Sequence, residues 1–168
     1  MKKDKSLSAP LTKKATTADA KFMKKALELA RLAQRHDHGQ PFGSVVVKEG
    51  KIVGEGWNQS IVKTDPSAHA EVEAIRDACK ELKTLDLTGS TVYASAQPCP
   101  MCLSLMYLTG ISKVYYCIPH SQIEELYEDL SIKYIYDELS KPRSKRKIHE
   151  IQILPEVVNK CLHCYSVR

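Results

Sequence analysis

The hydrophobic positions of this chain change period several times, and each change marks a predicted element. The first period is helical, with apolar side chains every three or four residues from about Ala18, at Met23, Ala26, Leu27, Ala30 and Ala33. Two β-branched runs follow at 44–47 and 51–57, and Glu49-Gly50 between them has the composition of a turn. The first third of the chain therefore predicts a helix followed by a β-hairpin.

A second helical period follows a loop that begins at residue 58. Asp65 is the predicted N-cap and Pro66 the predicted first residue, because a carboxylate accepts hydrogen bonds from free helix N–H groups and proline lacks an N–H. The apolar face of this helix is predicted at Ala68, Val72, Ile75, Cys79 and Leu82.

The rest of the chain alternates between strand-like and helical segments. Strands are predicted at 90–96, 113–118 and 148–154, and helical segments at 98–109, at 121–139 and from residue 155. Strands that alternate with helices predict an α/β domain with helices on the faces of a sheet.

Composition places the chain among soluble proteins. Its 168 residues suggest one compact domain, and 43% hydrophobic with 27% charged residues is ordinary for such a domain. No apolar run approaches the ~20 residues of a membrane span. The basic N-terminus lacks the apolar core of a signal peptide, so a cytoplasmic location is predicted.

The net charge of +5 is unevenly distributed. Residues 1–17 hold five Lys and one Asp without apolar periodicity, and they are predicted to form a disordered basic tail before a domain at 18–168. Residues 141–147 hold five basic residues, whereas 18–140 hold 13 basic and 17 acidic ones. Because the domain body is mildly acidic, nucleic-acid binding is not the expected function.

Two C-x-x-C pairs, Cys99/Cys102 and Cys161/Cys164, are candidates for metal or redox chemistry. The two pairs together could form a four-thiolate structural zinc site, although 58 residues separate them. Cys99 and Cys102 alone could form a redox pair, because a helix N-terminus activates such a motif.

A third arrangement joins Cys99 and Cys102 to His69 and Glu71. Both segments are predicted at helix N-termini, which favour thiolate over thiol. Three protein ligands, His69, Cys99 and Cys102, would leave a fourth zinc position for water, as in catalytic zinc sites. Glu71 would then be the acid–base group, and H-x-E followed by P-C-x-x-C is the signature of zinc nucleobase deaminases.

With these motifs the chain resembles the cytidine deaminase superfamily, and within it the bacterial guanine deaminases. The resemblance covers about residues 20 to 154, through PFGSVVVKEGKIVGEGWN, DPSAHAEVEAIRDAC, PCPMC and IYDELSKP. It implies a three-layer α/β/α fold with a central mixed five-stranded sheet, one zinc per chain and a homodimer. The implied reaction converts guanine to xanthine and ammonia, with Glu71 moving the protons.

The same resemblance implies a set of substrate contacts. Asn58 matches an asparagine that hydrogen-bonds the base, and Phe42 matches an aromatic residue that packs on its ring. An acid that holds guanine is expected at Asp129 or, in another register, at Glu128. Ala70 and Tyr165 complete the expected contacts.

Three departures from the guanine deaminase pattern leave other functions open. Gln97 stands where a glutamate is usual before PCPMC, the tail NKCLHCYSVR lacks the usual tryptophan, and the basic N-terminal tail has no counterpart. The alternatives are a tRNA adenosine deaminase, which shares the metal motif, a cytosine deaminase, and a zinc-stabilised binding domain without enzymatic activity.

Overall fold

The computed structural model describes residues 14–126 and 132–151, and the chain divides into two compact units, Met1–Ile132 and Lys133–Arg168. The elements in chain order are α1 (Thr17–Arg35), β1 (Gly43–Lys48), β2 (Lys51–Trp57), α2 (Ala70–Leu82), β3 (Thr91–Ala96), α3 (Pro100–Leu108), β4 (Lys113–Ile118), α4 (His120–Leu126) and α5 (Ile132–Ser140). In the described ranges, no helix is long and apolar enough to cross a membrane.

Helix α1 begins at Thr17, close to the predicted start, because Thr16 and Asp19 form a capping box. The Thr16 hydroxyl accepts from the Asp19 N–H (3.1 Å), and the Asp19 carboxylate accepts from the Thr16 N–H (2.9 Å). The buried face comprises Phe22, Ala26, Leu29, Ala30 and Ala33. The helix and its buried Ala26, Ala30 and Ala33 are therefore confirmed, but Met23 and Leu27 are only partly buried, and Phe22 and Leu29 are the large core residues instead.

The four strands of the described residues form a mixed sheet in the order β2-β1-β3-β4. Strand β1 pairs antiparallel with β2 and β3, and β3 pairs parallel with β4. Glu49 and Gly50 join β1 to β2 with positive φ angles of 50° and 74°. A two-residue hairpin turn with both φ angles positive matches the right-handed twist of the strands, so the predicted hairpin is confirmed.

The prediction of five strands is wrong for the described part of the chain, where the sheet has four. The expected fifth strand covered 148–154, but residues 148–151 are irregular and 152–154 lie outside the described residues. Ile148 and Ile151 are 81% and 80% exposed. Since they are three residues apart, these two isoleucines would point to opposite faces of a strand.

Helices cover both faces of the sheet, which confirms the three-layer arrangement. Val45, Val47 and Tyr93 pack with α1 in one core cluster. Val46 and Val92 face the other way, into a second cluster with α2 and with Met106 of α3. Adjacent valines in β1 serve opposite clusters because successive strand side chains alternate between faces.

In the second unit, the basic segment 141–147 folds back on α5. Arg146 donates to the Leu139 carbonyl (3.0 Å), and the Lys147 N–H donates to the Glu138 carboxylate (2.8 Å). The Lys147 ammonium also lies 5.0 Å from the centre of the Tyr134 ring. Two of the basic residues of segment 141–147, Arg146 and Lys147, therefore make contacts within the second unit.

Candidate active site

The first candidate ligand, His69, is the N-cap of α2. The prediction that Asp65 caps this helix and Pro66 starts it is wrong. The Asp65 carboxylate instead accepts from the N–H (2.8 Å) and hydroxyl (2.7 Å) of Ser67, which makes a separate turn. The helix starts only at Ala70, and extended backbone at His69 (φ −70°, ψ 157°) turns the chain into it.

The other two candidate ligands lie at the start of α3. Cys99 is its N-cap, Pro100 is its first residue and Cys102 lies in its first turn. Proline fits this position because the first helical N–H has no partner within the helix. The helix therefore starts two residues after the predicted Pro98. Neither N-cap residue, His69 of α2 or Cys99 of α3, uses its side chain to accept from the N–H groups of its helix.

The three ligand atoms form a compact triangle. His69 Nδ1 lies 3.7 Å from Cys99 Sγ and 3.6 Å from Cys102 Sγ, and the two sulfurs are 3.6 Å apart. Tetrahedral zinc with Zn–S bonds of about 2.3 Å and a Zn–N bond of about 2.0 Å requires about 3.8 Å between sulfurs and about 3.6 Å between sulfur and nitrogen. The donor set therefore fits zinc in both chemistry and spacing.

The surroundings of the triangle favour a thiolate. The hydrogen bond between Cys99 and Cys102, with further contributions from His69, lowers the pKa of Cys99 to about 4. The bond with Cys99 and burial raise the pKa of Cys102, while the bond with Cys99 raises the pKa of His69. Cys99 is therefore the thiol of this cluster that ionises more readily, and a zinc ion would bind both cysteines as thiolates.

Glu71 lies beside this triangle and is 7% exposed. Its Oε2 accepts from Cys102 Sγ at 3.5 Å, and burial raises the pKa of its carboxyl group. A buried carboxyl group with a raised pKa, close to a metal-ligand set, can both accept and deliver a proton. The structure thus brings together all four residues of the predicted metal and acid–base site.

Asn58 and Phe42 lie on neighbouring segments. Asn58 is 2% exposed, and its backbone N–H donates to the Phe42 carbonyl (2.9 Å). Phe42 itself is half-buried. The Gln59 N–H donates to the Ala68 carbonyl (2.9 Å). Gln59 follows Asn58 and Ala68 precedes His69, so this bond brings the segments that carry Asn58 and His69 together. Ala70 is 1% exposed as the first residue of α2, between His69 and Glu71.

Five residues discussed from the sequence lie outside the described residues. They are Glu128, Asp129, Cys161, Cys164 and Tyr165. Their roles stay predictions.

Gln97 has a partner that sequence reasoning missed. The Gln97 side-chain oxygen accepts from the His120 N–H (3.0 Å), and His120 Nε2 lies 2.8 Å from the Gln97 carbonyl oxygen. The Gln97 N–H also donates to the Ile118 carbonyl (2.8 Å). These bonds attach the segment before Cys99 to the end of β4. No sequence motif predicted a role for His120.

Comparison with known proteins agrees with this geometry. The model of the cytidine and deoxycytidylate deaminase zinc-binding region matches residues 16–118, which contain all three candidate ligands and Glu71. Guanine deaminase of Bacillus subtilis is 42% identical over 132 residues, covering 79% of this chain and 83% of the relative. Its crystal structure superposes with a TM-score of 0.79 at 36% identity, covering 87% of this chain and 92% of that one.

A second class of relatives matches over a shorter stretch. A tRNA-specific adenosine deaminase of Haemophilus influenzae is 40% identical over 99 residues, which covers 58% of this chain and 57% of the relative. The two classes share the metal motif, so the metal centre by itself does not distinguish their substrates.

Proposed function

The chain belongs to the cytidine and deoxycytidylate deaminase family, and we propose that it deaminates guanine to xanthine and ammonia. One observation carries the proposal: a zinc-ligand triangle with a buried acid–base carboxyl group, in a chain that matches guanine deaminase over 83% of that protein's length. The zinc-dependent hydrolytic chemistry follows from the family, and the choice of guanine is the step that needs testing.

His69, Cys99 and Cys102 would hold one zinc ion per chain. When bound, zinc supplies a Lewis acid that lowers the pKa of water to about 7. Both helix N-termini point their partial positive charge at the same place, which further stabilises the two thiolates. Gln97 is hydrogen-bonded to Ile118 and to His120. These two bonds hold the turn that carries the cysteines against the end of β4.

Glu71 performs the proton transfers. It takes one proton from the attacking water and gives it to a ring nitrogen of the base; it then takes the second proton from the hydroxyl group on C2 and passes it to the amino group that leaves. The oxygen of water becomes bonded to C2 of guanine, the C2–N bond breaks, and ammonia leaves as a neutral molecule. A buried carboxyl group suits this task because burial raises its pKa towards the working pH.

Selection of guanine would rest on Asn58, Phe42 and an acid at Asp129 or Glu128. The acid would accept from the N1–H and the 2-amino group of guanine, and adenine has neither of these two donors. Leaving a buried polar group unpaired costs about 1–3 kcal/mol, enough for tenfold to hundredfold discrimination. The position of the acid is inferred from the sequence resemblance.

Ammonia release from the purified zinc protein tests the substrate. Guanine should give the highest kcat/KM among guanine, adenine, cytosine and a tRNA, and either Asp129→Asn or Glu128→Gln should lower it. A protein that turns over tRNA while guanine is inert would belong with the tRNA-specific relatives. Full activity in both acid variants would retain guanine as substrate and exclude these two acids from the pocket.

A homodimer and a cytoplasmic location complete the proposal. Tyr107 and Leu108 lie side by side on α3 and are 82% and 83% exposed, as expected of a surface that a second subunit covers. Cys99 and Cys102 must stay reduced to bind zinc, which a cytoplasmic location provides.

A further inference from the structure

The amide of Asn58 is buried, but only one end of it is hydrogen-bonded by protein. Its oxygen accepts from the N–H (3.0 Å) and from the hydroxyl (2.8 Å) of Ser60. Within the described part of the chain, no group accepts from Asn58 Nδ2. The residue is only 2% exposed, yet this nitrogen is not fully enclosed, because the one fully enclosed side-chain atom without a partner among the described residues is Ser90 Oγ. An amide that two donors hold at its oxygen, and that is open at its nitrogen, can present that nitrogen to a ligand.

The orientation of this amide follows from chemistry. A backbone N–H can only donate, so the atom that faces the Ser60 N–H must be the oxygen. With the Ser60 hydroxyl as second donor, both lone pairs of that oxygen are occupied. Asn58 can therefore offer a ligand only N–H groups.

Gly39 closes the other side of the amide oxygen. A Cβ at position 39 would lie 2.1 Å from Asn58 Oδ1 and 3.1 Å from Ser60 Oγ. Any side chain there would displace the amide or the hydroxyl. The oxygen is thus enclosed by Ser60 and the Gly39 backbone, while the amino end stays available.

We propose that Ser60 is a positioning residue that locks Asn58 as a donor, so that the site selects bases presenting a hydrogen-bond acceptor at this point. The inference rests on the proposed function, because it takes a nucleobase as the ligand. Guanine meets the requirement through its ring nitrogens and its 6-oxo group. A base with an N–H at that point would place donor against donor.

Two substitutions of Asn58 give opposite results for a donor and an acceptor. Asn58→Ala removes the group, and kcat/KM should fall about 10- to 100-fold. Asn58→Asp keeps the shape and the bonds to Ser60 but turns a lone pair towards the substrate acceptor. It should therefore be at least about tenfold worse than the alanine variant. An aspartate variant more active than the alanine variant would overturn the donor assignment.

Variants of Ser60 test the positioning role. Ser60→Ala should lower kcat/KM by about three- to tenfold, mainly through KM, and Ser60→Thr should restore it because the hydroxyl returns. Ser112→Ala is the matched control, since it deletes an exposed hydroxyl and should change kcat/KM less than about twofold. Equal effects of Ser60→Ala and Ser60→Thr would overturn the role of the hydroxyl.

A binding measurement separates failure of this inference from failure of the proposed function. Trp57 is the one tryptophan of the chain and directly precedes Asn58, so its fluorescence can report base binding in wild type and variants. If guanine is inert and another base is turned over, the guanine proposal fails. The order wild type, Ala, Asp at position 58 must still hold for that base. Another order in both binding and turnover would overturn the inference itself.

Discussion

The sharpest test of the proposed chemistry is the substitution Glu71→Gln. The two side chains have the same shape, and glutamine keeps an oxygen that can accept from Cys102. Glutamine cannot carry a proton between water and the leaving amine. Loss of a general acid–base group typically costs 10²–10⁴-fold in rate, so kcat should fall by about this factor or more.

Stability and metal binding should survive this substitution. Glu71 is 7% exposed, and replacing a buried carboxyl group by a neutral amide removes a charge whose desolvation is costly. Exchange of one hydrogen bond changes the free energy of unfolding by only about 0.5–1.5 kcal/mol. His69, Cys99 and Cys102 are untouched, so zinc content measured by elemental analysis should stay at one per chain.

Glu73→Gln is a matched control in the same helical turn. Glu73 is 9% exposed and accepts from Lys63 (2.5 Å) and Arg76 (2.7 Å), whose side chains are 42% and 52% exposed. Ion pairs with partly exposed partners contribute about 0–1 kcal/mol, so kcat/KM should stay within about fivefold of wild type. Full ammonia release by zinc-loaded Glu71→Gln would refute the proton-transfer role. Equal losses in the two variants would show that negative charge in this turn matters, rather than proton transfer.

Three other outcomes follow from the site and the fold. Replacing Cys161 and Cys164 by serine should leave one zinc per chain, whereas Cys99→Ser should lose it; the reverse, measured by elemental analysis, would assign zinc to the other C-x-x-C pair. Chelation should abolish activity but leave the circular dichroism of the fold, because both core clusters form without metal ligands; unfolding on chelation would make the zinc structural. Leu108→Glu should shift the sedimentation coefficient from that of a dimer to that of a monomer. The control is Leu85→Glu, which should not, although Leu85 is also exposed (81%). A dimer that survives Leu108→Glu would place the interface elsewhere.

Hydrophobic periodicity was sufficient to place the strands of the first unit. The β1–β2 hairpin and β4 were predicted within one residue of their observed ends, because β-branched runs and a Glu-Gly turn are local signals. The alternation that suggested a strand at 148–154 was weaker. Its first two isoleucines are three residues apart, and the four residues of this segment that the structure describes are not a strand.

The helix starts next to the site were predicted less well, for a physical reason. Capping rules assume that the first residues satisfy the helix N–H groups, and Asp65 fits those rules. Here His69 and Cys99 occupy the N-cap positions, and their side chains meet each other at 3.7 Å rather than capping. Local preference is overridden at this point by the requirement to assemble ligands, as is typical of functional sites.

Residue types and spacing indicated the candidate metal ligands and Glu71, which the structure brings together, because few functions need H-A-E and P-C-x-x-C together. The sequence could not show that Nδ1 is the nitrogen of His69 that faces the two sulfurs, or that Ser60 holds the amide of Asn58. These facts depend on the ring orientation and on the approach of neighbouring loops. An Asn-x-Ser sequence is compatible with such a turn, but it does not reveal which end of the amide stays free.

Gln97 shows how the structure changes the meaning of a departure from a family pattern. Glutamate is usual at this position in the guanine deaminases that the sequence resembles, so glutamine removes a charge. In the structure, the side-chain oxygen of Gln97 accepts from the His120 N–H, while His120 Nε2 lies against the Gln97 carbonyl oxygen. Glutamine and glutamate both carry an oxygen that can accept this bond. The bond holds the turn before Cys99 against the end of β4, and it depends on an acceptor rather than on a negative charge. The substitution therefore preserves the contact that holds the segment before the candidate metal ligand Cys99, and it is compatible with the deaminase function proposed for this chain.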